Sequence, residues 1–256
     1  MLCVMLSELP EVVALNEGLT LGGLNTLAEV RRAVEEAFQQ VRHQILTEGT
    51  APARNKDGQQ VSNHFVRTDG DRTLLLEKSN IAIEKPLGPD FMLAFKHNAI
   101  FTMALEELVK GGWPVVATVR NPLAVLGSWN TLKIPVAKGR MRGMEKFQPN
   151  LATQVEAESD LLAQQVLLLD YYFQAYNRLL PAAAILTYER LCAAPAEAIQ
   201  ATFGLEANAL EPVEDLNRSD IYPRKEFPKY FEALMRLPDA GWRAHYSEED
   251  LKNLMA

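Results

Sequence analysis

The chain has 256 residues, 48% hydrophobic and 23% charged, with 26 Lys and Arg against 33 Asp and Glu and a formal net charge of −7. That length supports one large α/β domain or two small ones, and the acidic balance excludes a general nucleic-acid binder, which needs a basic face to displace counterions. No apolar run approaches the ~18 residues of a membrane span, so no transmembrane segment is expected.

Residues 1–8 read as the tail of an apolar helix; "MLCVML" has no basic flank, the first Arg or Lys being Arg31, so it reads as a poor signal peptide. "EVVAL" (11–15) predicts a short strand ending in "NEG". Leu27, Val30, Val34, Phe38, Val41 and Ile45 recur at threes and fours and predict a helix over 26–48. The polar, turn-rich stretch 49–72 reads as a mobile excursion or lid. "FMLAF" (91–95) predicts a strand, and Asn98 is placed to cap a helix that stops at Gly111-Gly112. "PVVATV" (114–119) is the next strand and "LAVLGSWNTL" its following helix. One long helix is expected over 151–179, then a strand "AAAILTY" (182–188) and a helix over 194–203. Ser247 with Asp250 three residues on makes a near capping box before the last helix. Cys3 and Cys192 lie far apart without metal-type spacing, which suits a reduced, cytoplasmic chain and suggests no metal site.

Apolar strands alternating with helices predict an α/β fold whose parallel sheet is covered on both faces. Ligands bind such sheets at the carboxyl ends of the strands. The informative residues are therefore Asn16 and Glu17, Lys96 and His97, Arg120 and Asn121, and Tyr188 and Glu189. Purely structural strand ends would carry mostly turn formers, so polar and ionisable groups at all four favour a site. Arg120 ends a strand, Pro122 fits the first helical turn, and Ser128 lies two turns along. A guanidinium and a hydroxyl at a helix entrance suit a phosphate; the competing arrangement is an Arg–carboxylate pair with Ser128 bonded to its own helix.

"VVATVRNPLAVLGSW" (115–129) resembles the 3′-phosphate motif of sulfotransferases that use 3′-phosphoadenosine 5′-phosphosulfate (PAPS). "ILTYERLCAAPAEAIQATFGLE" (185–206), "GWRAHYSEEDLKNL" (241–254) and "FMLAFKHNAIFT" (91–102) resemble further segments of that family in the same order, most closely its bacterial members. The resemblance runs from about residue 5 to 254 and is weakest over 20–90. It implies a single domain over 1–256, a three-layer, P-loop-containing nucleotide-binding fold around a central parallel sheet. It also implies transfer of a sulfonate group from PAPS to a hydroxyl or amine of a small-molecule, sugar or lipid acceptor, without a metal. Arg120 and Ser128 would hold the 3′-phosphate, Tyr188 would contact the adenine side, and Trp242 and Arg243 would cover the nucleotide. Trp242 reads equally as a core anchor, and Arg224 and Lys225 read better as a solvated face than as phosphate ligands. A homo-oligomer is left open.

Two groups are candidates for the base. Glu17, in "ALNEGL", occupies the position of the glutamate of bacterial relatives, with Gly18 in place of their proline, which loosens the loop. His97, beside Lys96 in "FKHN", sits where other members place a histidine; its alternative is an imidazole capping the helix at Asn98. Imidazole has the better unperturbed pKa, whereas Glu17 needs desolvation to raise its own. Motif position favours Glu17. Lys96 would stabilise charge on the leaving group. His43, His64 and His245 read as plain surface. The acceptor pocket is expected from 49–72, from 129–140 and from neighbours of Glu17.

The chain departs from the family at its start. "LCVMLSELPEVVALNEGL" matches the second half of the 5′-phosphosulfate unit, and the strand and Gly-Ser/Thr loop of the first half are absent. A late start codon or a truncated gene is the expectation. The alternative to an active enzyme is an inactive sulfotransferase-fold protein that binds the nucleotide; kinase or hydrolase chemistry is disfavoured because no Walker lysine-serine loop occurs.

Overall fold

The computed structural model describes residues 1–19, 21, 23–62, 65–68, 71–74 and 77–256. The chain divides into two compact units, Met1–Glu107 and Leu108–Ala256. The protein is mixed α/β, with short parallel strand pairs in both units.

In the first unit, helix α1 (Leu2–Glu8) leads into strand β1 (Val12–Asn16), which is buried at every position. The Lys85 ammonium fastens this junction, donating to the carbonyls of Ser7 (2.7 Å), Leu9 (2.8 Å) and Val12. Helix α2 (Leu27–Glu48) starts in a capping box in which Thr26 accepts from the Glu29 backbone and Glu29 reaches back. It ends on Gly49 in the left-handed conformation, and Val30, Val34, Val41 and Ile45 form its buried stripe.

The stretch expected as a mobile excursion begins as strand β2 (Thr50–Asn55). Strands β3 (Phe65–Thr68) and β4 (Asp71–Leu74) pair antiparallel with each other, and β2 pairs antiparallel with β5 (Glu77–Ala82). Ala51 and Ala53 are fully buried between the more exposed Thr50, Pro52 and Arg54. The alternation is that of a half-buried strand, hidden in the sequence by alanines too small to look apolar and by a central proline. His64 lies outside the described residues.

Strand β6 (Met92–Lys96) pairs parallel with β1, Val12 opposite Met92 and Asn16 opposite Lys96. Val13, Leu15, Val41, Ile45, Phe91 and Leu93 fill the core of this unit. Helices α3 (Asn98–Met103) and α4 (Leu105–Lys110) follow, and the left-handed Gly112 stands just beyond the last turn. Asn98 is not the cap: it is the first helical residue, and His97 holds the cap position without a side-chain capping bond.

In the second unit, strand β7 (Ala117–Val119) pairs parallel with β8 (Ile185–Thr187). Helix α5 (Pro122–Trp129) opens with Pro122 at its first turn, and the Asn121 side chain accepts from the Leu123 backbone. Two short helices, α6 (Met144–Phe147) and α7 (Pro149–Ala157), precede α8 (Leu161–Leu179). The single helix expected over 151–179 is thus interrupted, because Asp160 caps a new start through the Leu162 N–H at 3.0 Å. Helix α9 (Tyr188–Ala193) follows β8 directly, then α10 (Pro195–Phe203), α11 (Phe227–Met235) and α12 (Glu248–Met255). The capping box of Ser247 and Asp250 is formed at the start of α12. Leu123, Leu126, Val166, Phe173, Phe227, Trp242 and Leu251 lie in the core of this unit. No helix among the described residues is long and apolar enough to cross a membrane.

Candidate functional site

Each unit carries its own polar cluster at the carboxyl end of a parallel strand pair. In the first unit the register sets Asn16 beside Lys96, so Glu17 and His97 are the first residues beyond their strands. The Glu17 N–H donates to the Lys96 carbonyl at 2.8 Å. Glu17 adopts φ 47°, a left-handed conformation uncommon for a side chain of its kind. At Gly18 an added Cβ would stand 2.1 Å from the Pro52 carbonyl oxygen. Gly18 therefore does not loosen this loop; it admits the close approach of β2 and fixes the turn that presents Glu17.

The Glu17 carboxylate is held from two sides. Oε2 accepts from Arg54 Nε at 2.7 Å, and Oε1 lies 3.6 Å from Lys96 Nζ. Burial pushes its pKa up, but Lys96, His97 and Arg54 together outweigh burial and hold the carboxyl below its ordinary value. The raised pKa that a glutamate base requires is not found, because the surrounding cations favour the charged form.

Burial drives His97 down to about 4, with Lys96, Lys78 and Arg54 adding to it and only Glu17 opposing, so the imidazole is neutral at neutral pH. Its Nδ1 is buried without a hydrogen-bond partner among the described residues, and the ring packs 5.8 Å from that of Phe101. Lys78 of β5 lies directly opposite Arg54 of β2. Burial lowers its pKa and Arg54 lowers it further, against the pull of Glu17. Arg54 and Lys78 went unrecognised in the sequence; the signal was the two-residue alternation of "TAPARN" against "EKSNIA".

The second cluster is built on Arg120, which follows β7. Its Nε donates to Asn217 Oδ1 at 2.5 Å, and its guanidinium carbon stands 4.3 Å above the Tyr188 ring and 5.5 Å from that of Tyr222. Arg120 Nη2 is buried and has no hydrogen-bond partner among the described residues. The nearby carboxylate of Glu189 is fully engaged elsewhere. Its Oε1 accepts from the Asn121 N–H (2.9 Å) and Asn217 Nδ2 (2.7 Å), and its Oε2 accepts from the Tyr246 hydroxyl (2.7 Å). Asn217, only 4% exposed, is thus a neutral bridge between the guanidinium and the carboxylate. No direct Arg120–carboxylate pair forms among the described residues.

The other expected nucleotide ligands are distributed less simply. Ser128 is half-buried and its carbonyl accepts from Thr131 Oγ1 at 2.8 Å; no hydrogen bond joins its hydroxyl to Arg120. The Tyr188 hydroxyl accepts from the Leu216 N–H at 3.0 Å, burial pushes its pKa up to about 12, and its ring face carries Arg120.

Trp242 is 1% exposed, so the structure gives it the core-anchor place and not the lid. Arg243 lies 4.5 Å over its ring and pairs with Glu248 at 3.0 Å; Trp242 Nε1 and Arg243 Nε are buried without hydrogen-bond partners among the described residues. Arg224 donates to the Leu254 carbonyl at the end of α12 (3.1 Å), and Lys225 shares its short 3-10 turn. His43 is exposed as expected. His245 is not plain surface: it is half-buried and shares a 2.7 Å hydrogen bond between Nε2 and Asn177 Oδ1. Among the described residues no three His, Cys, Asp or Glu side chains converge as a metal site. Comparison with profiles of known families, with characterised proteins and with solved structures finds no match to this chain.

Proposed function

We propose that the chain is a PAPS-dependent sulfotransferase of three-layer, P-loop-type α/β fold, acting in the cytoplasm on a hydroxyl or amine acceptor. One observation carries the reading: Arg120 is fixed by its inner nitrogen and by an aromatic face, while its buried Nη2 has no acceptor among the described residues. A buried, unpaired donor on a charged group is costly, and a phosphate oxygen supplies the missing acceptor. The neutral Asn217 supports this, because a carboxylate in its place would satisfy the arginine and repel the ligand.

The first unit supplies groups suited to the transfer. An acceptor oxygen or nitrogen bonds to sulfur in line as the bond from sulfur to the bridging oxygen breaks, leaving 3′-phosphoadenosine 5′-phosphate. The acceptor's proton passes to Glu17 or His97, which lie within electrostatic reach of each other. Lys96 is a cation of the kind that offsets the charge gathering on a leaving oxygen.

The test is calorimetric binding of 3′-phosphoadenosine 5′-phosphate against AMP. The wild type is expected to prefer the former, and Arg120→Ala to erode that preference by about 2–4 kcal/mol, as for truncating one partner of a buried charge pair. Equal affinity in the wild type, or a loss well under ~1 kcal/mol in the variant, overturns the assignment.

A further inference from the structure

Five charged or titratable groups meet at the end of β1 and β6, Glu17, Lys96, His97, Arg54 and Lys78, and the transfer chemistry uses only the first three. Arg54 and Lys78 remain to be explained. They occupy directly opposed positions of an antiparallel pair, where Cβ atoms stand about 5 Å apart and like charges destabilise the sheet. Arg54 is engaged through Nε alone, so both terminal amino groups are without hydrogen bonds to the described residues. An arginine pinned at its inner nitrogen presents a rigid two-pronged edge suited to an oxyanion. The strand beneath is fixed as well. The Pro52 carbonyl lies against Gly18, and the fully buried Asn55 donates to Ala53 O (3.1 Å) and Ser79 Oγ (2.8 Å).

We propose that Arg54 and Lys78, with Lys96, form an oxyanion-binding site beside Glu17 and His97, for a sulfonate, phosphate or carboxylate group. The site itself does not depend on the sulfotransferase reading; only its source does, being either the transferred sulfonate or an anionic group on the acceptor.

The cluster has a consequence for the base. The charged groups facing His97 are Glu17 beyond β1, Lys96 on β6, Lys78 on β5 and Arg54 on β2, and the Cys3 thiol of α1 lies within electrostatic reach of Lys96. Burial first, with Lys96, Lys78 and Arg54 adding to it, keeps His97 deprotonated and weakly basic, and Lys96, His97 and Arg54 hold the Glu17 pKa down. An anion seated on Arg54 and Lys78 offsets those charges and raises both pKa values. Occupancy of the anion site thereby makes the pair a better proton acceptor.

The experiment follows the His97 ring by NMR through a pH titration of the whole chain, in sodium sulfate and in chloride of equal ionic strength. His97→Gln identifies its signal among the four histidines. Sulfate is expected to raise the wild-type His97 pKa by about one unit. Arg54→Gln is expected to start higher and to lose most of the sulfate response. Lys78→Gln, on an exposed side chain, is expected to show the same change to a smaller extent and serves if Arg54→Gln does not fold. An unmoved wild-type His97, or a full sulfate response in the folded variants, overturns the site. Saturation with PAPS then separates the sources. A sulfate shift that persists assigns the anion to the acceptor, and one already produced by PAPS assigns it to the transferred group. Failure of PAPS to bind overturns the sulfotransferase reading, while the sulfate titration still decides the site.

Discussion

His97 illustrates how a residue's surroundings decide its chemistry. Its pKa in the folded chain, about 4, lies below the 6.5 of a free imidazole. The unfolded chain therefore binds its proton first, and acid favours unfolding between those two values. Stability that is complete above about pH 6.5 is expected to fall by about 3 kcal/mol towards pH 4 from this group alone. In His97→Gln that share of the acid sensitivity should vanish, which urea unfolding at pH 7 and pH 4.5 would read directly. An unchanged pH slope in the variant would contradict the burial assigned to the ring. Glu17 acts in the same direction at lower pH, since its carboxyl is held below 4.5 by Lys96, His97 and Arg54. Arg120 follows a different logic: its charge is placed by a neutral amide and an aromatic ring, so positioning consumes none of its attraction for an anion.

At the level of elements, the turn after β1 depends on what β2 brings to it. A methyl group at position 18 would lie 2.1 Å from the Pro52 carbonyl oxygen, and backbone cannot swing aside as a side chain can. Gly18→Ala is expected to cost about 2–3 kcal/mol, the upper range for overpacking, measurable as a lower urea midpoint, and to weaken the Arg54–Glu17 contact.

Long periodic elements were legible in the sequence: α2 from its stripe of valines, α12 from its capping box, and β1 and β6 from continuous apolar runs. Elements governed by tertiary pairing were not. Strand β2 is recognisable only beside β5, and the break before α8 rests on one aspartate competing with an otherwise unbroken helical pattern. Strand β7 is shorter than its apolar run because Val115 and Val116, though apolar, fall outside the paired residues.

Over the whole molecule, the strand-end residues fall into two clusters. Glu17, Lys96 and His97 do come together, and Arg120 does meet Tyr188. The partners that define each site's charge, Arg54 and Lys78 in one unit and Asn217 and Glu189 in the other, are far from them in sequence. The alternation around Arg54 marks a strand, but no local spacing ties any of the four to the strand ends they meet. Ser128 and Trp242 mark the opposite limit: a motif fixes a residue's place in the chain, whereas packing fixes where its side chain points.

One fastening in the first unit offers a gauge of how that unit comes apart. The Lys85 ammonium is tied to three main-chain oxygens where α1 gives way to β1. Amine-reactive acylation needs a nitrogen lone pair, so it can proceed at Lys85 only in molecules whose junction has sprung open. Mass-spectrometric labelling at rising urea is expected to mark exposed lysines such as Lys78 at once. Lys85 should be marked only as the first unit melts; early marking at low urea would reveal a junction that frays ahead of the rest.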